Sequence, residues 1–362
     1  MITLSFFIGI TILAGTASLY IKDINFKLIL ALMIALGYAI FWSQQPIGMG
    51  HDIDRYYAYF LKAPDINEYS LTTNYGHFYS ILVSLAKTIG FNFRVFLFFM
   101  IFMSMSLYVF SFRLLTKNYV FALSVLVLLV DIFIATVRVQ RQGIAVVFLF
   151  LAFAYLFKNK KAFSFLLLPI AGSLHLTSLP FYVFIIAVKS FLRRSIVIKT
   201  IAIILIVSLF FYITKNLNLV IDIIDLFQDD SRYFSRISKY IANADTESGL
   251  NVGFLLMVFM AMLSVVHTYF LSKNNRGNIY LNIYVSLVLF FSLILRMMTA
   301  ELEVISRINL YFSPFYALGL TLIIDRLSGY NRLVFVFSSL MVLGSFFWLR
   351  VLVRDISRVW FY

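Results

Sequence analysis

Cysteine is absent from this 362-residue chain. Disulfide bonds, and zinc or iron–sulfur sites with cysteine ligands, are therefore excluded. Charged residues are also scarce, at 13% of the chain, and the acidic sign is the scarcer one, with 16 Asp and Glu against 30 Lys and Arg. A soluble domain of this length would need far more polar surface, so that class of protein is excluded.

Several motifs of nucleotide-dependent and hydrolytic enzymes are missing as well. The chain contains no Walker motif, no glycine-rich dinucleotide-binding loop and no Gly-x-Ser-x-Gly sequence. ATP-driven pumping and serine-hydrolase chemistry are therefore unsupported.

Long apolar runs are what the chain does contain. Apolar residue types make up 62% of it, and the runs recur from end to end. We predict an all-α, polytopic integral membrane protein with about 10–12 transmembrane helices in a single transmembrane domain, 1–362. The predicted spans are 3–21, 26–42, 95–112, 119–136, 142–157, 196–214, 251–272, 278–298, 307–324 and 332–349.

Two segments do not fit a simple span. Residues 77–90 would form a helix of only ~21 Å, which is less than the ~30 Å hydrocarbon core, so we expect partial insertion or an interfacial position. Residues 162–188 are long and are interrupted by Pro169, Gly172 and Pro180. We predict that this segment is re-entrant, with its broken middle in the outer half of the membrane. The alternative is one long span.

The basic residues predict the orientation. One set of connections carries 15 Lys and Arg against 2 acidic residues, whereas the rest of the chain carries 15 basic and 14 acidic residues. The positive-inside rule assigns that set to the cytoplasm, and it accounts for nearly all of the net charge of +14 without a nucleic-acid partner. The set consists of 22–27, 113–117, 158–161, 189–199, 273–276 and 325–332. Outer-face loops are then predicted at 43–76 and 215–250.

Two arginines stand at the predicted outer edge of the membrane, in the sequence TVRVQRQG at 136–143. Arg138 and Arg141 are three residues apart and share one face if the segment is helical. Guanidinium groups bind phosphate oxygens in bidentate geometry, so we predict a phosphate site here. The alternative is that both side chains anchor the protein to lipid headgroups.

The first outer loop contains the sequence GHDIDRYYAYF at 50–60, which combines acids, a histidine and tyrosines. Carboxylates accept hydrogen bonds from sugar hydroxyls, and aromatic rings pack on the apolar faces of sugars. We predict that Arg55 and Tyr56 bind substrate and that Asp52 or Asp54 acts as a general base. A solvated loop with an aromatic belt is one alternative, and a metal site, for which the sequence offers no further ligands, is another.

His175 lies in the broken segment among serines and threonines, and it is a further candidate base or a structural histidine. Arg232 and Arg236 lie at helical spacing in the second outer loop, and Arg307 follows Glu301 and Glu303. These arginines are candidates for phosphate binding. The alternatives are an ordinary interfacial helix for the first pair and a helix-end ion pair for Arg307.

Taken in order, these motifs resemble the EpsG-like family of bacterial polysaccharide polymerases, which act as Wzy-type O-antigen, capsule or exopolysaccharide polymerases. The pattern is an acid with a tyrosine four residues later, an R-x-x-(I/L)-A sequence that opens a span, a lysine cluster and an H-x-(S/T) sequence. The residues that match it are Asp52 and Tyr56, then Arg141, Ile144 and Ala145, then His175 and Thr177. The sequence SRINLYF at 306–312 resembles a late arginine element of the family, and the resemblance covers roughly residues 45–320.

The resemblance implies a glycosyltransferase of the bacterial inner membrane with its active site toward the periplasm. Such an enzyme joins undecaprenyl-pyrophosphate-linked oligosaccharide repeat units into long chains. Its partners would be the lipid-linked glycan and membrane lipids, with a chain-length regulator protein as a further candidate, and no cofactor or metal would be required.

Three other functions compete with this one. A flippase or transporter of the lipid-linked unit needs basic groups lining a path through the membrane, but here the arginines outside cytoplasmic loops lie toward one face. An O-antigen ligase usually has a large outer loop between late spans, and 215–250 is modest. An acyltransferase would be expected to pair its histidine with an acid in a different arrangement.

Overall fold

The structure, a computed structural model, describes residues 2–44, 51–68, 76–129, 132, 136, 139–175, 177–191, 252–274, 279–298 and 307–350. Every regular element in these ranges is a helix and none is a strand, which confirms the all-α class. The α-helices are α1 (Ile2–Ala17), α2 (Ile24–Ser43), α3 (His51–Lys62), α4 (His77–Thr88), α5 (Phe93–Leu115), α6 (Tyr119–Val127), α7 (Gln140–Phe157), α8 (Lys161–Leu174), α9 (Ser178–Phe191), α10 (Val252–Asn274), α11 (Ile279–Met298), α12 (Ser313–Ile324) and α13 (Gly329–Arg350). Short 3-10 helices occupy Ile66–Glu68 and Arg307–Phe312.

Four of the described helices, α2, α5, α7 and α13, are long and apolar enough to cross a membrane. Six further apolar helical stretches, counted only over residues whose side chains are described, are 10–17 residues long. This composition confirms a polytopic membrane protein. The predicted span 196–214 and the predicted outer loop 215–250 lie outside the described residues.

Two compact units make up the chain. The first consists of Met1–Tyr182 and Ser313–Tyr362, and the second of Val183–Phe312. Helix α9 begins in the first unit and continues into the second. The single transmembrane domain stays a prediction.

Helices α6 and α12 form the centre of the first unit. All residues of both helices are buried, and a helix that is apolar all round is typical of the middle of a bundle. Helix α2, by contrast, exposes Ile29, Met33 and Ile40 at helical spacing. Such an apolar stripe is unfavourable in water and suits contact with lipid.

The predicted span 119–136 is not one continuous helix. Helix α6 ends at Val127, and the backbone N–H groups of Leu128, Leu129 and Ile132 donate to carbonyls three residues back instead of four. This is the tighter 3-10 pattern. No proline or glycine occurs between 119 and 136, so no helix-breaking residue marks this change.

The predicted break in 162–188 is confirmed, but it does not fall at the prolines. Pro169 lies inside α8, and Pro180 lies in the first turn of α9, where its missing N–H costs little. Helix α8 ends at Leu174, and His175 directly after it has an extended backbone (φ −154°, ψ 116°). The hydroxyls of Ser164 and Tyr182 lie 2.8 Å apart, so α8 and the start of α9 fold back on each other, as a re-entrant segment requires.

The second unit is described by its own contacts. Hydroxyl groups join α10 to α11, with Ser264 Oγ 3.0 Å and Thr268 Oγ1 2.8 Å from Ser286 Oγ. The hydroxyl of Tyr284 donates to the carbonyl of Ile185 at 3.0 Å. Hydrogen bonds between buried hydroxyls are a usual way to join helices where no water is present.

Candidate functional site

The predicted outer loop 43–76 contains a helix, α3, with two faces. Ile53, Tyr56 and Phe60 are buried at helical spacing, and the ring of Phe60 lies 5.6 Å from that of Phe93 at the start of α5. On the remaining surface Asp54 is half-buried and Arg55 is exposed. The backbone of Asp52 lies in the first turn of α3, where acids are favoured by the helix dipole, and its side chain lies outside the described part. Helix α3 therefore has one buried apolar face and one charged face.

Arg141, in the first turn of α7, reaches α3. Its guanidinium carbon lies 5.9 Å from the ring centroid of Tyr56, which is within cation–π range. Tyr56 is buried, whereas Arg141 is only half-buried. The buried ring thus positions a guanidinium group that stays partly accessible.

Tyr79 on α4 joins the same cluster. Its ring lies 5.4 Å from that of Tyr56 and 6.4 Å from that of Tyr59. Its hydroxyl donates a 3.0 Å hydrogen bond to Oε1 of Gln140, a fully buried residue next to Arg141. The buried aromatic rings and this hydrogen bond hold the start of α7 against α3 and α4.

Gly76, directly before α4, packs on the end of α8, next to the break between α8 and α9. Its φ of +80° is a conformation that glycine adopts without strain, and a Cβ there would lie 2.5 Å from the carbonyl oxygen of Ser173. The start of α4 is therefore packed backbone-to-backbone on the last turn of α8. Gly76 and Tyr79 are about one helical turn apart, ~4.5 Å along the axis, so α4 links the His175 segment to Gln140 and Arg141.

His175 is held by its own neighbour. Its Nδ1 lies 2.6 Å from Oγ1 of Thr177, and His175 as a residue is half-buried. This hydrogen bond fixes the orientation of the imidazole, which is a requirement for a positioned acid or base. The same two residues formed the H-x-(S/T) element of the sequence.

The structure thus brings together the segments of Tyr56, Arg141 and His175, with Asp54 and Arg55 on the charged face of α3. We call this group, together with Gly76 and Tyr79 that join its segments, the outer cluster, after the face that the charge pattern predicts for it. Arg138, Arg232 and Arg236 lie outside the described residues. Arg307 begins the second 3-10 helix, and its side chain is not among those described. The roles predicted for these four arginines stay predictions.

Sequence reasoning missed two residues of the outer cluster, Gly76 and Tyr79. A glycine directly before a helix that starts without a capping side chain was one available signal. The other was a tyrosine in a short apolar helix, since a buried phenol usually needs a hydrogen-bond partner. In the described part of the chain, no three His, Asp or Glu side chains gather as metal ligands would.

One known protein family matches nearly the whole chain. The sequence model of the EpsG family matches residues 24–362. No curated protein and no solved structure matches the chain. The family match includes every motif of the outer cluster and all of the described helices except α1. The chain is therefore a member of the EpsG family.

Proposed function

We propose that this protein is a polysaccharide polymerase that joins lipid-pyrophosphate-linked oligosaccharide repeat units at the outer face of the bacterial inner membrane. The observation that carries the proposal is the outer cluster, in which a partly accessible guanidinium group lies on a buried tyrosine of the helix that also carries Asp54 and Arg55. Membership of the EpsG family supports the same conclusion. The product would be an O-antigen, a capsule or an exopolysaccharide.

The leaving group of this reaction is a lipid pyrophosphate, whose negative charge grows in the transition state. Arg141 is the described residue best suited to stabilise that charge, because the Tyr56 ring holds its guanidinium group in place before substrate arrives. Preorganised cations accelerate such reactions because the protein does not have to rearrange around the new charge. Arg138 would share this role, and Arg55, Arg232, Arg236 and Arg307 would bind the pyrophosphate or the sugars.

The acceptor is a hydroxyl group at the non-reducing end of the second repeat unit. Its oxygen attacks the anomeric carbon of the donor, and the bond from that carbon to the pyrophosphate oxygen breaks, so that configuration inverts. The hydroxyl proton passes to a base, for which Asp52, Asp54 and His175 are the candidates. The growing chain moves to the acceptor unit, and the lipid pyrophosphate leaves with its electron pair. The proposal requires no metal or cofactor.

The test is complementation of a deletion strain of the native host, with the length of the surface polysaccharide read by gel electrophoresis. Wild-type protein should restore long chains. Arg141→Ala should leave single repeat units while the protein reaches the membrane at normal levels. Removal of one transition-state charge contact typically slows a reaction about 100–1000-fold.

The matched control is Arg94→Ala. Arg94 is also an arginine in the first turn of a helix, α5, but it is exposed and does not contact Tyr56. Normal chains from Arg94→Ala together with single units from Arg141→Ala would support the polymerase. Loss of even the single unit in the deletion strain would favour a flippase or a ligase. Normal chains from Arg141→Ala would contradict the role given to this arginine.

A further inference from the structure

A cleft of about 610 Å³ opens at the end of α7 that is remote from Arg141. Helix α7 is ~27 Å long, and Lys158 at the cleft directly follows its last residue. The cleft is therefore separate from the outer cluster, on the face that the charge pattern assigns to the cytoplasm. Its volume lies in the range of ligand pockets, roughly 300–1000 Å³.

The lining of this cleft is strongly cationic. Among the described residues, six basic side chains and one acid line it, together with the apolar side chains of Ile24 and Leu114. The six are Lys22, Lys27, Arg113, Lys117, Lys158 and Arg326, and the acid is Asp325. We call this site the basic cleft.

These cations come from four of the predicted basic connections, and the structure places two of them within helix ends, Lys27 in the first turn of α2 and Arg113 in the last turn of α5. The positive-inside rule explains why each connection is basic, but it does not require the connections to converge on one cavity. Like charges gathered in a cavity repel one another and raise the local concentration of anions. Among the described residues, none of the six forms a salt bridge. The convergence therefore leaves an excess of positive charge for a ligand to neutralise.

Asp325, the acid of the lining, has a structural role. The carboxylate of Asp325 accepts hydrogen bonds from Thr116 Oγ1 at 3.0 Å and from Asn118 Nδ2 at 2.6 Å. Asn118 in turn accepts a hydrogen bond from Arg332. This network holds the connection after α5 against the connection after α12, and the Tyr119 hydroxyl, 3.0 Å from the carbonyl of Ile24, holds α6 to α2. Hydrogen bonds within the protein therefore hold the walls of the cleft together and do not depend on a ligand.

We propose that the basic cleft binds an anion with two phosphate groups, either the headgroup of an anionic membrane lipid or a soluble diphosphate. Six cations against one carboxylate exceed the charge of a single phosphodiester, and basic pockets between helices at the cytoplasmic face are typical sites for polyanionic headgroups. The inference is independent of the proposed polymerase, because it concerns other residues and is tested by binding.

The test uses the full-length protein purified in detergent and titrated with cardiolipin, a lipid with two phosphates, and separately with inorganic pyrophosphate. Native mass spectrometry or a fluorescence titration gives the dissociation constants. The double variant Lys27→Gln/Arg113→Gln should weaken binding about 25-fold, at roughly five-fold for each cation removed. The matched control is Lys160→Gln/Lys161→Gln, which removes the same charge from exposed residues that do not line the cleft.

A second variant keeps the proposal testable if the double variant fails to fold. Asp325→Asn removes the negative charge and keeps an amide oxygen that can accept a hydrogen bond, so it should tighten binding about five-fold. Cardiolipin binding that pyrophosphate does not displace identifies the lipid as the source, and binding of pyrophosphate alone identifies a soluble ligand. Equal losses in the cleft variant and its control, unchanged affinity in Asp325→Asn, or no binding of either probe would overturn the proposal.

Discussion

The guanidinium carbon of Arg141 lies 5.9 Å from the ring centroid of Tyr56, so a residue at the start of α7 rests on a buried ring of α3. A cation–π contact of this kind contributes about 0.5–2 kcal/mol and depends on an aromatic face. The proposed function gives this contact a role, because it restricts where the guanidinium group can lie.

Tyr56→Leu should therefore reduce chain elongation, since Arg141 loses the surface that positions it, and Tyr56→Phe should retain most of it. The measurement is polysaccharide length in the complemented deletion strain. Tyr57→Leu is the control on the same helix, because the Tyr57 ring packs 5.3 Å from Phe93 and not on Arg141. An equal loss in Tyr56→Leu and Tyr57→Leu would show that packing of α3, and not the position of Arg141, limits activity.

Gly76→Ala should destabilise the protein more than Gly90→Ala. Both glycines have positive φ, +80° and +87°, so both substitutions carry a similar conformational cost of about 1 kcal/mol. Only at Gly76 does a Cβ meet backbone, because Ser173 O lies 2.5 Å away, whereas nothing lies within 4 Å at Gly90. We expect Gly76→Ala to lower both thermal stability in detergent and chain elongation. Equal melting temperatures for the two variants would contradict the close packing of α4 on α8.

Tyr79→Phe should cost about 1–3 kcal/mol, because it removes the hydroxyl that donates to the buried Gln140 and leaves the amide oxygen without that donor. Tyr108→Phe is the matched control. The Tyr108 hydroxyl is also fully buried but has no hydrogen-bond partner among the described residues, so its removal should be neutral or slightly stabilising. Thermal unfolding of both variants checks the difference, and a loss of similar size in each would contradict a specific role for the hydrogen bond to Gln140.

Ser164→Ala should destabilise the hairpin of α8 and α9. The Ser164 hydroxyl lies 2.7 Å from the carbonyl of Ala152 on α7 and 2.8 Å from the Tyr182 hydroxyl on α9, so one side chain joins three helices. We expect a loss of about 1–2 kcal/mol in thermal stability. Ser338→Ala should have almost no effect, since Ser338 is exposed and bonds only to carbonyls of its own helix. A neutral Ser164→Ala would show that apolar packing alone holds the hairpin.

Acidification should tighten lipid binding at the basic cleft. Asp325 is exposed as a residue, but desolvation of its carboxyl group raises its pKa above the usual 3.8, against the lowering effects of hydrogen bonds and of neighbouring arginines. Protonation as pH falls toward that raised pKa removes the one negative charge among the described residues of the lining. The polar and charged groups that interact with the Asp325 carboxyl group are Thr116, Asn118, Arg326, Arg332 and Lys27. Cardiolipin titrations at neutral and mildly acidic pH check this, and Asp325→Asn should lack the dependence.

Much of the fold follows from local sequence. The all-α membrane class follows from long apolar runs, because a backbone in lipid must satisfy its hydrogen bonds within each segment. The short helix after residue 76 and the break near His175 were also predictable from local sequence. The length of an apolar run and its interruptions can be read from one segment alone. The exact position of the break was not, because Pro169 and Pro180 both fit within helices.

The candidate sites depend on pairs of residues that are far apart in the chain. Tyr79 and Gln140 are 61 positions apart, and no periodicity or composition relates two such positions. The sequence identified Tyr56, Arg141 and His175 as separate candidates, and the packing of α4 brought their segments to one place. In the same way, charge counting assigned the basic connections to one face, and only the arrangement of the helix ends gathered four of them around one cleft. Local patterns limit which segments can be helical and which face each buries, whereas contacts between distant segments arise only when those faces pack together.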